Sequence, residues 1–451
     1  MVTIIKNRHE ISTTELRRQV LDMVEAGISS VFPLTLVKSA VRYDCTSRVL
    51  SIFDREYDLS RGRLFVVGGG KATGRMAEVL ESVLGTDTVT AGIVNCARGE
   101  YDTLTIRTVE AGHPTPDERG QEGVRQMLSM KHEHSIGPTD LVICLISGGG
   151  SAMMPFPAEG VTLADKRETT RLLLGSGADI REMNVVRKHL SRVKGGWFGR
   201  YFAPSRVVSL IISDVVGNDL ESIASGPTVP DSSTFSDAYA LLDKYGLVSR
   251  VPSAVTGFLT RGREGKEEET PKTLGNCSNH IIGDNMLALQ AAAAAARELG
   301  LKPYIVTAEQ TGDTATVAEQ RAKEIIAGRY SGQDVILVGG ETTPTLPENA
   351  GKGGRNQHYA ASSILAMEKQ RGEWAMASVG TDGLDFGHDV AGAIVDDKSL
   401  ATARAKQLHI RSYLDSYDSN TFLAGLGGSL IVTGNTGTNV SDIMVYALKQ
   451  E

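Results

Sequence analysis

The chain has 451 residues, 41% of them apolar and 22% charged. This is ordinary globular usage and too much length for one core, so it speaks against disorder and for two or three domains. The net charge of −7 argues against nucleic acid or an anionic membrane as partner, because both call for a basic face.

The N-terminus, MVTIIKNRHEIS, lacks a cationic-then-apolar leader, and no run of 18 apolar residues occurs. A cytoplasmic protein without a membrane span is expected. The scattered cysteines Cys45, Cys96, Cys144 and Cys277 read as reduced thiols of that compartment. Ser12 or Thr13 caps a first helix, whose apolar residues Leu16, Val20, Met23, Val24 and Ile28 recur at helical spacing. Pro33 opens a second.

The pattern then changes to short apolar runs ending in small residues. Leu64–Val67 runs into Gly68-Gly69-Gly70, and Leu141–Ile146 into Ser147-Gly148-Gly149-Gly150-Ser151. Val207–Ile212 runs into Ser213-Asp214, and Val335–Val338 into Gly339-Gly340-Glu341. Helical stretches lie between, near 71–84, 116–131, 162–174, 179–194, 283–299, 313–327 and 357–369. Thr115-Pro116-Asp117-Glu118 offers a cap, a first-position proline and early acids to one of them. Unalternated strands between helices predict α/β architecture: two three-layer domains with mainly parallel sheets, the N-terminal one Rossmann-like. The polar, charge-dense stretch 252–275 suggests a boundary. The expected division is a domain over 1–255, a linker over 256–275 and a second domain over 276–451.

Glycine numbers 49, above ordinary usage, and it clusters where strand turns into helix. Such turns let backbone N–H groups converge on an anion at the positive end of a helix. In VVGGGKATGR, Lys71 follows three glycines. Ala72 after the lysine excludes a Walker A loop, and Thr73 breaks the G-x-G-x-x-G fingerprint. The next candidate strand, Ala91–Val94, ends in Asn95-Cys96 with no acid for a dinucleotide ribose. LVICLISGGGSAMM is an anion loop without the G-x-S-x-G flanks of a hydrolase elbow. Asp214, at a strand end and followed by Gly217, Asn218 and Asp219, suits a Mg²⁺ ligand, a base or a turn cap.

Arg355, in GKGGRNQHYAAS, offers bidentate contacts to phosphate. Lysine in one domain and arginine in the other could clamp a transferring phosphoryl group. Asp382, Asp385 and Asp389, in SVGTDGLDFGHDVAGAIVD, form either an oxygen set for a hard cation or ordinary Asp-Gly turns, without EF-hand spacing. His113, in EAGHPTPDE, precedes a capped helix and is a candidate for the site, whereas His132 and His134 form no metal cluster.

In order, VVGGGKA, AGHPTPD, LISGGGSAMM, SDVVGNDLESIASGPTVPD, GGETTPTL with GKGGRNQ, GTDGLDFGHDVAGA and GNTGTNVSDI run through nearly the whole chain. This ordered set resembles the glycerate 2-kinases that carry a C-terminal MOFRL domain. The resemblance implies phosphate transfer from ATP to the 2-hydroxyl of D-glycerate with Mg²⁺, by two α/β domains around a cleft. It implies catalytic roles for Lys71 and Arg355, to which the strand-end carboxylate Asp214 is added. Candidate substrate- or phosphate-binding residues are Gly68, Gly69, Gly70, His113, Ser147, Gly148, Gly149, Gly150, Ser151, Asn218, Asn285, Glu341 and Asn356. Candidate metal ligands are Asp214, Asp382 and Asp385. The segment FGHDVAGA departs from the G-P-T-D-type run of many relatives, which leaves Asp389 without an assigned role. Two alternatives stay open: a hydroxypyruvate reductase, which the absent dinucleotide fingerprint disfavours, and a non-catalytic binder of phosphorylated acids. A homo-oligomer is compatible with the sequence.

Overall fold

The computed structural model describes residues 3–85, 87–385 and 389–449. Phe386, Gly387 and His388 of the GTDGLDFGHDVAGA motif lie outside the described residues. The chain divides into two compact units, one of Leu36–Ile282 and one of Met1–Thr35 with Gly283–Glu451.

The Leu36–Ile282 unit opens with a small antiparallel sheet, β1 (Val41–Asp44), β2 (Val49–Ile52) and β3 (Arg55–Asp58). Its main sheet contains β4 (Leu64–Gly69), β5 (Val89–Cys96), β6 (Ile106–Glu110), β7 (Leu141–Ser147), β8 (Arg206–Ile212) and β9 (Cys277–Gly283). They lie in the order β6-β5-β4-β7-β8-β9. The pairs β4/β5, β4/β7, β5/β6 and β7/β8 are all parallel. Every residue of β4 and β7 is buried, which explains why both read as unbroken apolar runs. From β4 the chain builds outward through β5 and β6, then crosses back to β7 and builds the other way. The direction reverses between β4 and β7, so the loops leaving their carboxyl ends diverge and leave the crevice in which open parallel sheets bind ligands.

Local signals set the flanking helices. Asp117, rather than Thr115, caps the helix Glu118–Glu133 by accepting the Gly120 N–H at 2.9 Å. Reciprocal capping boxes, Thr162 with Asp165 and Asp179 with Glu182, start the helices Leu163–Gly175 and Ile180–His189.

The second unit has six strands: β10 (Pro303–Gln310), β11 (Val335–Gly340), β12 (Glu373–Gly380), β13 (Val390–Asp396), β14 (Leu430–Val432) and β15 (Asp442–Lys449). Their order is β10-β11-β15-β12-β13-β14. Only β10/β11 is parallel; β11/β15, β12/β15, β12/β13 and β13/β14 are antiparallel. The expectation of mainly parallel sheets is therefore corrected here. β15 makes two of these antiparallel pairs by inserting between β11 and β12 from the far end of the chain, and the run β12-β13-β14 makes the other two.

The expected division at 255 and 276 also differs from the observed one. Thr14 caps the helix Glu15–Ser30, which buries Val20, Met23, Val24 and Ile28. This helix packs on the helix Asn285–Glu298 and on β12 and β15. Buried Arg17 pairs with buried Asp396 at 2.6 Å. The N-terminal segment thus completes the core of the C-terminal sheet, and the expected linker contains most of a helix, Ser253–Arg263. Among the described residues no single helix is long and apolar enough to cross a membrane.

Candidate functional site

The loop leaving β4 is braced by the loop leaving β7. Gly70 N–H donates to Asn95 O at 3.1 Å, Lys71 N–H to Gly148 O at 2.8 Å and Ala72 N–H to Ser147 Oγ at 3.0 Å. These three amides, of Gly70, Lys71 and Ala72, are consumed inside the protein. Ser147 is 2% exposed and its hydroxyl is spent on this brace.

The second loop gathers the chemistry. A Cβ on Gly148 would stand 1.9 Å from Asp214 Oδ2, so the carboxylate lies directly on that backbone. Gly149 has φ +79°, and a Cβ there would meet His113 Cδ2 at 2.8 Å and Lys71 Cγ at 3.2 Å. Lys71, His113 and Asp214, which come from three different strand-end loops, therefore converge on Gly148–Gly149. Burial of the ring and the Lys71 charge push the His113 pKa down to about 4, so its imidazole is neutral at physiological pH. Gly150 begins a short helix, Gly150–Met153. Asn218 sits four residues beyond Asp214 with φ +55°. A larger cavity of this unit, about 360 Å³ and lined by Trp197, Tyr201 and Phe235, holds none of the expected residues.

Sequence reasoning missed the wall beyond Gly149. A cavity of about 260 Å³ is lined there by His113, Gly149, Ser151, Lys166, Arg187 and Lys194 among others. Ser151 Oγ hydrogen-bonds Ser225 Oγ at 2.9 Å, and Lys194 Nζ donates to Ser151 O at 2.7 Å and Oγ at 3.1 Å. Lys166 Nζ donates to Leu190 O at 2.9 Å. Burial, with Arg187 nearby, lowers the Lys166 pKa to about 7, and burial with Lys166 and Arg187 lowers that of Lys194. Lysines and arginines on amphipathic helices read as solvated surface. Only packing turns these inward.

In the other unit Arg355 opens the helix Arg355–Ala366. Its Nε and Nη2 donate to Asp442 at 2.5 and 2.9 Å, and its Nη1 lies 3.1 Å from Glu341. Burial works against the guanidinium charge, but Asp442 and Glu341 outweigh it and raise the pKa. These contacts use three of five N–H donors and leave two for a bound oxyanion. A cavity of about 300 Å³ is lined by Glu341, Arg355, Asp385 and Tyr417. Asp442, fully buried at the start of β15, lies in the GNTGTNVSDI motif but was not among the expected site residues, because its partners are distant in sequence.

Two of the expected binding residues, Asn356 and Asn285, hydrogen-bond within the protein. Buried Asn356 donates to Asp442 Oδ1 at 2.9 Å and accepts from Ser378 Oγ at 2.7 Å. Asn285 Nδ2 donates to the carbonyls of Val440 and Asp442 at 2.9 and 2.8 Å. Asp385, 3% exposed, accepts the backbone N–H of Asn356 at 3.2 Å and of Gln357 at 2.9 Å. It clamps the first turn of the helix that carries Arg355, and burial raises its pKa to about 6. Asp382 accepts the Leu384 N–H at 3.0 Å. The expected cation set of Asp382, Asp385 and Asp389 is not assembled: among the described residues no three His, Cys, Asp or Glu side chains could together hold a metal.

Residues 19–260 match the family described as a domain of unknown function, DUF4147, and residues 334–442 match the MOFRL family. The glycerate 2-kinase of Pyrococcus horikoshii is 37% identical over 440 residues, covering 96% of this chain and 97% of its own. A putative hydroxypyruvate reductase of Agrobacterium vitis is 39% identical over 389 residues, covering 85% and 98%. The crystal structure of a glycerate kinase from Thermotoga maritima aligns with a TM-score of 0.83 at 35% identity, covering 96% of this chain and 99% of its own. With both family matches in order and such identity over almost its whole length, the chain belongs to the DUF4147–MOFRL family of glycerate kinases.

Proposed function

We propose that this protein is a cytoplasmic glycerate 2-kinase that transfers the γ-phosphoryl group of ATP to the 2-hydroxyl of D-glycerate, giving 2-phosphoglycerate and ADP. The observation that carries the reading is the convergence of Lys71, His113 and Asp214 on the Gly148–Gly149 backbone at the reversal point of the parallel sheet. Phosphoryl transfer asks for positioning and charge neutralisation rather than covalent chemistry. Lys71 neutralises the transferred group, the Gly148–Ser151 loop faces its oxygens, and neutral His113 borders the acid; Arg355 is the second cation that the family resemblance implies. Asp214 is the carboxylate at the reacting end.

The family implies Mg²⁺. Asp214 fits it as a hard oxygen donor beside an anion loop, since Mg²⁺ is usually held by one or two carboxylates plus substrate phosphates and retained waters. Asp214 would hold it. Bound with ATP, the ion neutralises charge on the β- and γ-phosphates.

A reductase reading shares the Rossmann-like strand order but lacks its chemistry. Where an acid would hold a ribose, the end of β5 carries buried Asn95 followed by Cys96, and Asn95 donates to the carbonyls of Gly120 and Met153 at 2.8 and 2.6 Å. The test is incubation with D-glycerate, ATP and Mg²⁺, with 2- and 3-phosphoglycerate resolved. The 2-isomer is expected. No ADP, the 3-isomer alone, or steady NADH oxidation with hydroxypyruvate refutes the reading. Arg355→Ala should lower kcat by roughly 10³-fold, the low end of arginine-finger effects.

A further inference from the structure

The cavity behind Gly149 carries three basic side chains and, among the described residues, no carboxylate in its lining. Lys166 and Lys194 are 8% and 3% exposed, and among the described residues their side-chain nitrogens donate to neutral oxygens only: Leu190 O for one, Ser151 O and Oγ for the other. An ammonium has three donors, so Lys166 keeps two unspent and Lys194 one. No acid offsets the charge on either. Lys188, one residue beyond Arg187, shows how this fold treats a buried lysine that is only structural: it is paired with Glu221 at 2.9 Å and Asp231 at 2.6 Å.

Burying like charges without counter-charge costs stability, and a site that tolerates this cost is one built for an arriving anion. The cavity's volume, about 260 Å³, suits a small molecule. Gly149 and His113 line it too, and Lys71 lies against the same Gly149 backbone. An acid whose carboxylate enters the cavity therefore leaves its neighbouring carbon beside the Lys71 loop.

We propose that Lys166, Arg187 and Lys194 bind the carboxylate of the acceptor acid, and that this anchoring selects the hydroxyl on the carbon next to the carboxylate for phosphorylation. The naming of the acid rests on the kinase reading; the carboxylate site does not. A terminal hydroxyl one carbon further on would lie beyond the Lys71 loop, which accounts for transfer to the 2-position.

Calorimetry on the full chain tests this, titrating D-glycerate alone and, separately, the β,γ-imido analogue of ATP with Mg²⁺. Lys166→Met, Lys194→Met and Arg187→Gln should each weaken D-glycerate binding about 10- to 100-fold, the value of a charge-assisted contact. Affinity for the nucleotide analogue should change less than about threefold. In turnover the loss should fall on the KM for glycerate. Unchanged glycerate affinity overturns the proposal, and so does a loss confined to the nucleotide analogue, which would make this a phosphate site. Where a variant fails to fold, wild-type protein decides: glyceramide, with a neutral amide in place of the carboxylate, should compete at least about tenfold more weakly than glycerate, and equal competition overturns the site. Binding of glycerate through these residues without phosphorylation sinks the kinase reading and keeps the carboxylate site. Turnover that survives all three substitutions at unchanged KM does the reverse.

Discussion

Replacing Asp442 with asparagine keeps its shape and removes the charge that aims Arg355. Asp442 is fully buried and accepts Nε and Nη2 of Arg355 at 2.5 and 2.9 Å, as well as Asn356 Nδ2 at 2.9 Å. Removing one partner of a buried ion pair costs about 3–5 kcal/mol. Here the Arg355 side chain is 30% exposed and keeps Glu341, itself 46% exposed, at 3.1 Å. Water and that weaker partner offset part of the loss, which leaves about 2–3 kcal/mol. For a unit of this size that is a fall in Tm of about 4–12 °C. The guanidinium also loses its fixed plane, and misplacement of a positioning group by an ångström costs about 10²-fold in rate. Thermal unfolding by circular dichroism reads the first effect. Initial rates of ADP formation well below the transition read the second. Glu341→Gln is the control, expected to shift stability by less than about 1 kcal/mol. If Asp442→Asn melts within about 1 °C of wild type and keeps kcat within about threefold, Arg355 is not held in the way described.

Gly149→Ala should cost about 1–2 kcal/mol from its left-handed backbone and lower kcat by about tenfold or more, because the methyl would stand 2.8 Å from His113. Gly160 has φ +78° with open space around it, so Gly160→Ala should show the strain alone; equal activity in the two variants refutes a role for the Gly149 contact. Lys166 is shifted down to about 7 by burial and Arg187, whereas an unfolded lysine holds its proton to about 10.4. Between these values the unfolded chain binds more protons, so unfolding free energy rises with pH, by at most about 1.4 kcal/mol per unit from this group, and falls as pH drops toward 7. Urea unfolding at pH 7 and 9 should show that rise shrink in Lys166→Met; a wild-type-minus-variant difference that does not change with pH contradicts the assignment. Chelation of Mg²⁺ should stop turnover and leave Tm within about 1 °C, since the described residues form no metal cage of three or more such side chains. A fall of more than about 5 °C would reveal a structural ion.

The glycine turns at 68–71, 147–151 and 353–355 were legible from sequence, and so were the parallel sheet around β4 and β7 and the candidacy of Lys71, His113, Asp214 and Arg355. Each is written within a few residues, as an apolar run long enough for a buried strand followed by the small residues that let backbone turn and a ligand approach. Which amides in those turns remain for a ligand was not legible. The loop at Gly70–Ala72 spends its N–H groups on Asn95, Ser147 and Gly148, and only the packing of β4 against β5 and β7 decides that. The same holds for Asp442 on a strand that joins its sheet from the chain's far end, and for the helix Glu15–Ser30, which crosses to the C-terminal unit. It holds most of all for Lys166 and Arg187, whose helices look like solvated surface along the chain, and for Lys194 in the turn that follows. Periodicity and turn chemistry are local, so sequence determined where backbone bends and where anions are welcome. Counter-charges and hydrogen-bond partners come from residues distant in sequence, so tertiary structure alone decided which cations are paired and which stand waiting for an acid.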